Sequence, residues 1–346
     1  MSLSHQHRPA APQSETPVVT GPMDQGPSNQ SVLEECLAGG VETASMYGSL
    51  RGGSDSYLGE LAGALGLGGE ESEAAKNLEA ARSEFSGKFV IGEGGGMKDG
   101  KAVLSPEAYE HMLQTYANIR GGTSHLKISP LGMDEAEAAE FKSAALDNLS
   151  TIMQTESGRE LIDRVANQSS LDPEDRRDIV LSNGLRSLEE SGDGLRPVGN
   201  RAVPRSTNNT PETEGTKTGS GVFWVNEDRD VVTPDGQTLP MPKDAVLFHE
   251  LTHAMHNLEG TRPEGKVEGD HPDAGRAELE EHHTIGIGEY EGERISENAY
   301  REQRRNQLTD PAEKARYQRR ESWNVTAPAW KNDHQGRKYG EGGWPE

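Results

Sequence analysis

The chain of 346 residues has a single cysteine, Cys36. No disulfide can form within it, and no cysteine-rich zinc cluster can be built from it. Hydrophobic residues make up 32% and aromatics 5%, against about 45–50% apolar content, counted with glycine, in ordinary globular domains. With 41 glycines and 19 prolines, part of the chain is expected to stay unpacked. No run of about 18 apolar residues occurs, so no membrane span is expected. The first thirty residues lack an apolar h-region, which excludes an ordinary secretory signal. Lysine and arginine total 35 against 58 acidic residues, a net charge of −23. That sign disfavours nucleic acid and anionic membranes as partners.

Residues 1–30 are rich in Ser, Pro, Gln and His and are expected to be a disordered secretion or targeting region. Residues 31–86 mix short apolar pieces with Gly and Ser and are expected to be weakly ordered, with a helix over Ser72 to Phe85 and a boundary near Gly87. Two short strand candidates, Phe89 to Ile91 and Ala102 to Leu104, flank a glycine-rich turn that reads as a hairpin. Its GEGGG lacks the Gly-Lys-Ser/Thr ending of a phosphate loop. Ser105-Pro106 starts a helix. His125 to Ser129 reads as a strand, Met133 to Gln154 as an amphipathic helix, and a further helix begins near Ser157. Asp178 to Ser182 is another strand. Residues 187–220 are expected to be a polar loop insertion. Gly221 to Val225 is a strong strand, followed by a hairpin around Pro234-Asp235-Gly236.

The stretch Asp244 to Gly260 carries His249-Glu250-Leu251-Thr252-His253. On a helix, residues four apart share a face with Cβ atoms about 5–6 Å apart. Two imidazoles so placed can bind one zinc ion, and Glu250 falls where it can take a proton from a water on that ion. The helix itself is legible. Pro242 and Asp244 suit its start, Leu247, Leu251, Ala254 and Leu258 form its apolar stripe, and Gly260 ends it. The plainer account is a surface helix with two histidines among solvated charges.

A catalytic zinc keeps three protein ligands. The pattern with a third histidine six residues on is excluded, because His256 and Glu259 stand where it needs Gly and His. A later helix, Ala277 to Ile287, offers Glu278, Glu280, Glu281, His282 and His283, and spacing does not choose among them.

Three blocks in order carry a family resemblance. HELTHAMHNLEG resembles the zinc helix of the clostridial neurotoxin light chains. EEHHTIG at Glu280 to Gly286 is similar to their Glu-Glu-x-x-Thr-x-Gly stretch, and SENAYR at Ser296 to Arg301 to the Glu-Asn-x-x-Arg that follows. The same blocks occur in the type III-secreted effector zinc metalloproteases of the NleD type, to which the likeness is closest, over about residues 219–317. The resemblance implies that Glu281 is the third zinc ligand beside His249 and His253, that Glu280 orients a ligand, and that Glu250 is the general base. Where the family has Arg-x-x-Tyr, this chain has Lys314-Ala315-Arg316-Tyr317, so Tyr317 with Lys314 or Arg316 is expected to steady the tetrahedral intermediate.

The expectation is therefore an α+β fold with a zincin-like metalloprotease domain over 87–325 and a flexible tail over 326–346. The activity expected is that of a Zn²⁺ endopeptidase, translocated into the host cell cytoplasm by type III secretion, that cleaves specific host proteins. Relatives of the NleD type cut mitogen-activated protein kinases, which makes signalling kinases candidate substrates. A secretion chaperone is an expected partner of the N-terminal region. The Val222 to Val225 strand is expected to be a cleft edge for an extended substrate. The alternative is a zinc-binding host-interaction protein without proteolytic activity.

Overall fold

The structure, a computed structural model, describes residues 73–323 except 94, 192–193, 205–214 and 233–237. The expectations for 1–30, for most of 31–86 and for 326–346 lie outside the described residues.

Helix α1 (Glu73–Ser86) opens the described chain, followed by strands β1 (Phe89–Ile91), β2 (Met97–Lys98) and β3 (Lys101–Leu104) and helix α2 (Pro106–Arg120). The expected boundary at Gly87 falls inside packed structure. Ala81 and Phe85 of α1 are fully buried in the main core, and the Phe85 ring stacks on Phe89 at 3.9 Å across that glycine. Nor do β1 and β3 form a hairpin: they pair in parallel, and the hairpin joins β2 to β3. Its turn is Asp99-Gly100, both at positive φ (50° and 76°), the two-residue geometry that matches strand twist. Ser105 caps α2 by accepting from the Ala108 amide.

Strand β4 (Leu126–Ile128), helices α3 (Glu135–Ile152) and α4 (Glu156–Ala166), and strand β5 (Ile179–Asn183) follow, each within two residues of the expected position. Asp134 and Glu137 close a reciprocal capping box on α3. Next come β6 (Leu188–Ser191), β7 (Gly194–Pro197), β8 (Arg201–Pro204) and β9 (Ser220–Trp224). Residues 187–220, expected as a polar loop, thus carry a hairpin and a strand of the main sheet. That sheet has the order β4-β5-β9-β8. β4, β5 and β9 are parallel, and β8 is antiparallel at the edge. All of β9 is buried, as a strand covered on both faces must be. The expectation that β9 is a cleft edge is corrected: both of its sides are occupied, by β5 and β8, and among the described residues the edge of the sheet on that side is β8.

Strands β10 (Arg229–Val232) and β11 (Thr238–Met241) form the second expected hairpin. They lead into α5 (Lys243–Glu259), α6 (Leu279–Ile285), α7 (Glu297–Gln307) and α8 (Pro311–Ala315). α5 is the axis of the molecule. Leu247, Phe248, Leu251, Ala254 and Leu258 are all fully buried, each large side chain contributing about 1.5–3 kcal/mol. Two clamps fix its direction antiparallel to β9. The Trp224 indole N–H donates to the Lys243 carbonyl (2.9 Å), and the Asn257 side chain donates to Ser220 Oγ (3.1 Å). Asp228 accepts from the Lys243 amide, an anion at the helix N-terminus. Gly260 ends α5 at φ 70°. No helix among the described residues is long and apolar enough to cross a membrane.

Gly286 ends α6 at φ 78°. A Cβ there would run into Ser296 Oγ, the hydroxyl that caps α7. Gly286→Ala therefore combines a left-handed backbone with a clash and is expected to cost about 2 kcal/mol or more. Chemical denaturation of the variant checks this.

Candidate metal centre

Three lone-pair donors converge between α5 and α6. His249 Nε2 and His253 Nε2 are 3.0 Å apart, and Glu281 Oε2 lies 3.3 Å from the first and 3.6 Å from the second. Four ligands at about 2.0–2.1 Å around a tetrahedral ion would stand about 3.3 Å from one another. The near-perpendicular imidazole rings, at 85°, aim their edges at a common point.

The tautomers follow from what lies behind the rings. His249 Nδ1 meets Glu297 Oε2 at 2.9 Å, and His253 Nδ1 meets Glu280 Oε1 at 2.7 Å. An ionised carboxylate only accepts, so each Nδ1 donates to the carboxylate behind it and each Nε2 is turned toward Glu281. Two ring nitrogens and a buried carboxylate oxygen then face one another. A proton on the rings or a divalent ion can be shared among them, and a divalent ion fits in charge, donor type and size.

The carboxylates behind the histidines are anchored in turn. Glu297, fully buried, accepts from Arg301 Nε (2.6 Å) and Arg320 Nη1 (2.8 Å). Glu280 Oε1 also accepts from His256 Nδ1 (2.9 Å) and Thr284 Oγ1 (3.2 Å). Burial alone would raise the Glu280 carboxyl; the hydrogen bonds from His253 and His256 outweigh it and bring it down to about 2. For Glu281 burial is likewise outweighed by the two histidines, which hold it well below the usual range. For His249 and His253 burial works downward, and the neighbouring carboxylates raise both overall. Glu250 differs. Burial raises its carboxyl, with the histidine charges opposing, so it is the one carboxylate of the group tuned toward taking up a proton.

His249, His253 and Glu281 are thus brought to one place, and Glu250, next to His249 on α5, feels the charges of all three. Of the rival third ligands, Glu278 pairs with Lys266 (3.9 Å), Glu280 holds His253, His282 bonds Asp273 (2.9 Å), and His283 meets Glu293 (3.0 Å). Two of the residues expected to steady an intermediate are engaged with other groups. Tyr317 donates to Asp244 (2.8 Å), and Arg316 pairs with Asp228 and Glu313. Glu297 and Arg320 were not foreseen in contact with the site. The four-residue spacing of Glu297 and Arg301 was the available signal for a buried ion pair on one helix face.

Glu280→Gln and Glu297→Gln are each expected to weaken metal retention by about 10–100-fold while leaving the three donors in place. Competition with a chromophoric chelator measures this directly.

The model of the family Peptidase_M91, described as effector protein, matches residues 130–319, more than half of the chain, including both ends of this cluster. No curated protein matches the chain.

Proposed function

The chain belongs to the Peptidase_M91 family of effector proteins, and from that premise we propose that it is a zinc-dependent endopeptidase of the NleD type. In this reading His249, His253 and Glu281 hold the ion and Glu250 is the general base. The observation that carries it is the convergence of two imidazole Nε2 atoms and the Glu281 carboxylate, with each imidazole held from behind by a second carboxylate.

When bound, zinc would polarise the scissile carbonyl and acidify a water molecule. Glu250 would take that water's proton and later hand it to the leaving amine. Glu280 and Glu297 keep the histidines in the liganding tautomer. β8, the edge strand of the main sheet among the described residues, would give an extended peptide a strand to pair with beside α5. The antiparallel edge strand over the motif helix supports a zincin-like reading of the fold, with the catalytic domain extending back to residue 73. The family description supports delivery into host cells. The type III route, a chaperone for the N-terminal region and host signalling kinases as substrates belong to this proposal.

The test is proteomic. Host-cell extract is incubated with the wild type or with Glu250→Gln, and new protein N-termini are sequenced. Cleavages present only with the wild type support the reading. Their absence, with zinc bound, would leave the second reading, a zinc-binding protein without proteolytic activity. On its side stands the engagement of Tyr317 and Arg316 away from the metal donors.

A further inference from the structure

Two more clusters of metal-binding residue types flank α6 among the described residues, His256 with Glu280 and His283, and His271 with Asp273 and His282. Ring geometry separates them. The His256 and His283 rings stack in parallel, 3.8 Å apart at 8°. Lone pairs lie in the ring plane, so those of parallel stacked rings do not converge on one ion. The His271 and His282 rings stand 4.6 Å apart at 71°, nearly the relation of His249 to His253, 4.6 Å at 85°.

The donor atoms agree. Asp273 Oδ2 lies 2.9 Å from His282 Nε2 and 3.5 Å from His271 Nδ1. These two distances bracket the edge of about 3.3 Å that a tetrahedral site requires, and the third pair of donors lies within 4.8 Å. Asp273 is fully buried and held in position, with Ser322 Oγ donating to Oδ1 and the Trp323 amide to Oδ2, both at 2.7 Å. Such outer hydrogen bonds are what fix a liganding carboxylate. A metal site also needs an entry path. His271 and His282 line a cavity of about 440 Å³, with Glu264, Glu268, Glu289 and one opposing charge, Lys266, on its wall; the net negative charge favours a cation.

We propose that His271, Asp273 and His282 form a second, accessory site for zinc or a similar late divalent ion, separate from the first. Two nitrogens and one carboxylate oxygen suit that class of ion. The site would tie the 266–278 loop and the 322–323 segment to the back of α6. Leu279 and His282 turn to the cavity, whereas Glu281, one residue away and about 100° round the helix, turns to the first cluster. An ion held there would brace the helix that carries Glu281.

The competing account is that a proton alone joins His282 to Asp273, with the Asp273 amide donating to His271 Nδ1 (3.2 Å). The two accounts differ in stoichiometry. Full-length protein is loaded with zinc chloride, dialysed and weighed by native mass spectrometry. Wild type is expected to retain twice the zinc of His271→Ala, and His253→Ala to retain the accessory ion. Equal zinc in wild type and His271→Ala overturns the proposal, as does a folded His253→Ala with no zinc. Loss of zinc in His271→Ala down to zero, with His253→Ala unaffected, would instead sink the first site and leave this one standing. A readout on wild type alone guards against a variant that does not fold. Acylation of His271 by diethyl pyrocarbonate is expected to slow several-fold on addition of excess zinc; an unchanged rate overturns the proposal.

Discussion

Glu250→Gln is expected to lower turnover by about 10²–10⁴-fold, the usual contribution of a positioned general base, or about 3–5 kcal/mol of barrier. Zinc content should not change, because Glu250 supplies none of the three converging donors. The substitution is nearly isosteric on a helix buried on all sides, so the fold should survive. The pH profile gives a second readout. Burial raises the Glu250 carboxyl above its ordinary value. The ionised base is therefore lost at a higher pH than for an exposed glutamate as the solution is acidified. Wild-type activity should fall on the acid side through that raised value, and the residual activity of the variant should lack this limb. Rates are read on whichever host protein the wild type cleaves. A variant with wild-type turnover would remove Glu250 from the mechanism.

The motif helix was legible because its information is local. Two histidines four residues apart, an apolar stripe and a closing glycine all lie between Asp244 and Gly260, and α5 runs over Lys243–Glu259 with Gly260 at positive φ. The motif letters of α6 have equally local reasons. Thr284 donates to Glu280, and Gly286 adopts a backbone conformation that side chains avoid. What was not local was not legible. Glu280 and Glu281 are adjacent, and spacing gave no reason to prefer either. Their directions differ by about 100°, and only the placement of α6 against α5 turns one to an imidazole Nδ1 and the other to the Nε2 pair.

The same distinction explains the errors in the fold. β8 reads Arg-Ala-Val-Pro in a polar stretch. An edge strand pairs on one side only and tolerates proline, so it needs little of the pattern that marks a strand. β9, by contrast, carries an unbroken apolar run, the mark of a strand covered on both faces. That run argued against an open edge. Gly87 looked like a boundary because glycine punctuates local structure; the Phe85–Phe89 stack that bridges it is a tertiary contact.

Glu281→Ala is the second large effect. It removes one of three proposed protein ligands and leaves only the two imidazole nitrogens, 3.0 Å apart. Zinc affinity at this site is expected to fall by more than the roughly 10–100-fold assigned to an outer-shell carboxylate. The first site should therefore be empty after dialysis against a weak chelator, while Glu250→Gln stays loaded. The comparison with Glu280→Gln is what makes the result specific. If Glu281 is the ligand, the order of zinc loss is Glu281→Ala beyond Glu280→Gln. If Glu280 were the ligand, the order would invert. Elemental analysis in the His271→Ala background reads this site alone. Retained zinc in Glu281→Ala there would move the third ligand to a neighbour on α6, against the partners that Glu278, Glu280, His282 and His283 already have.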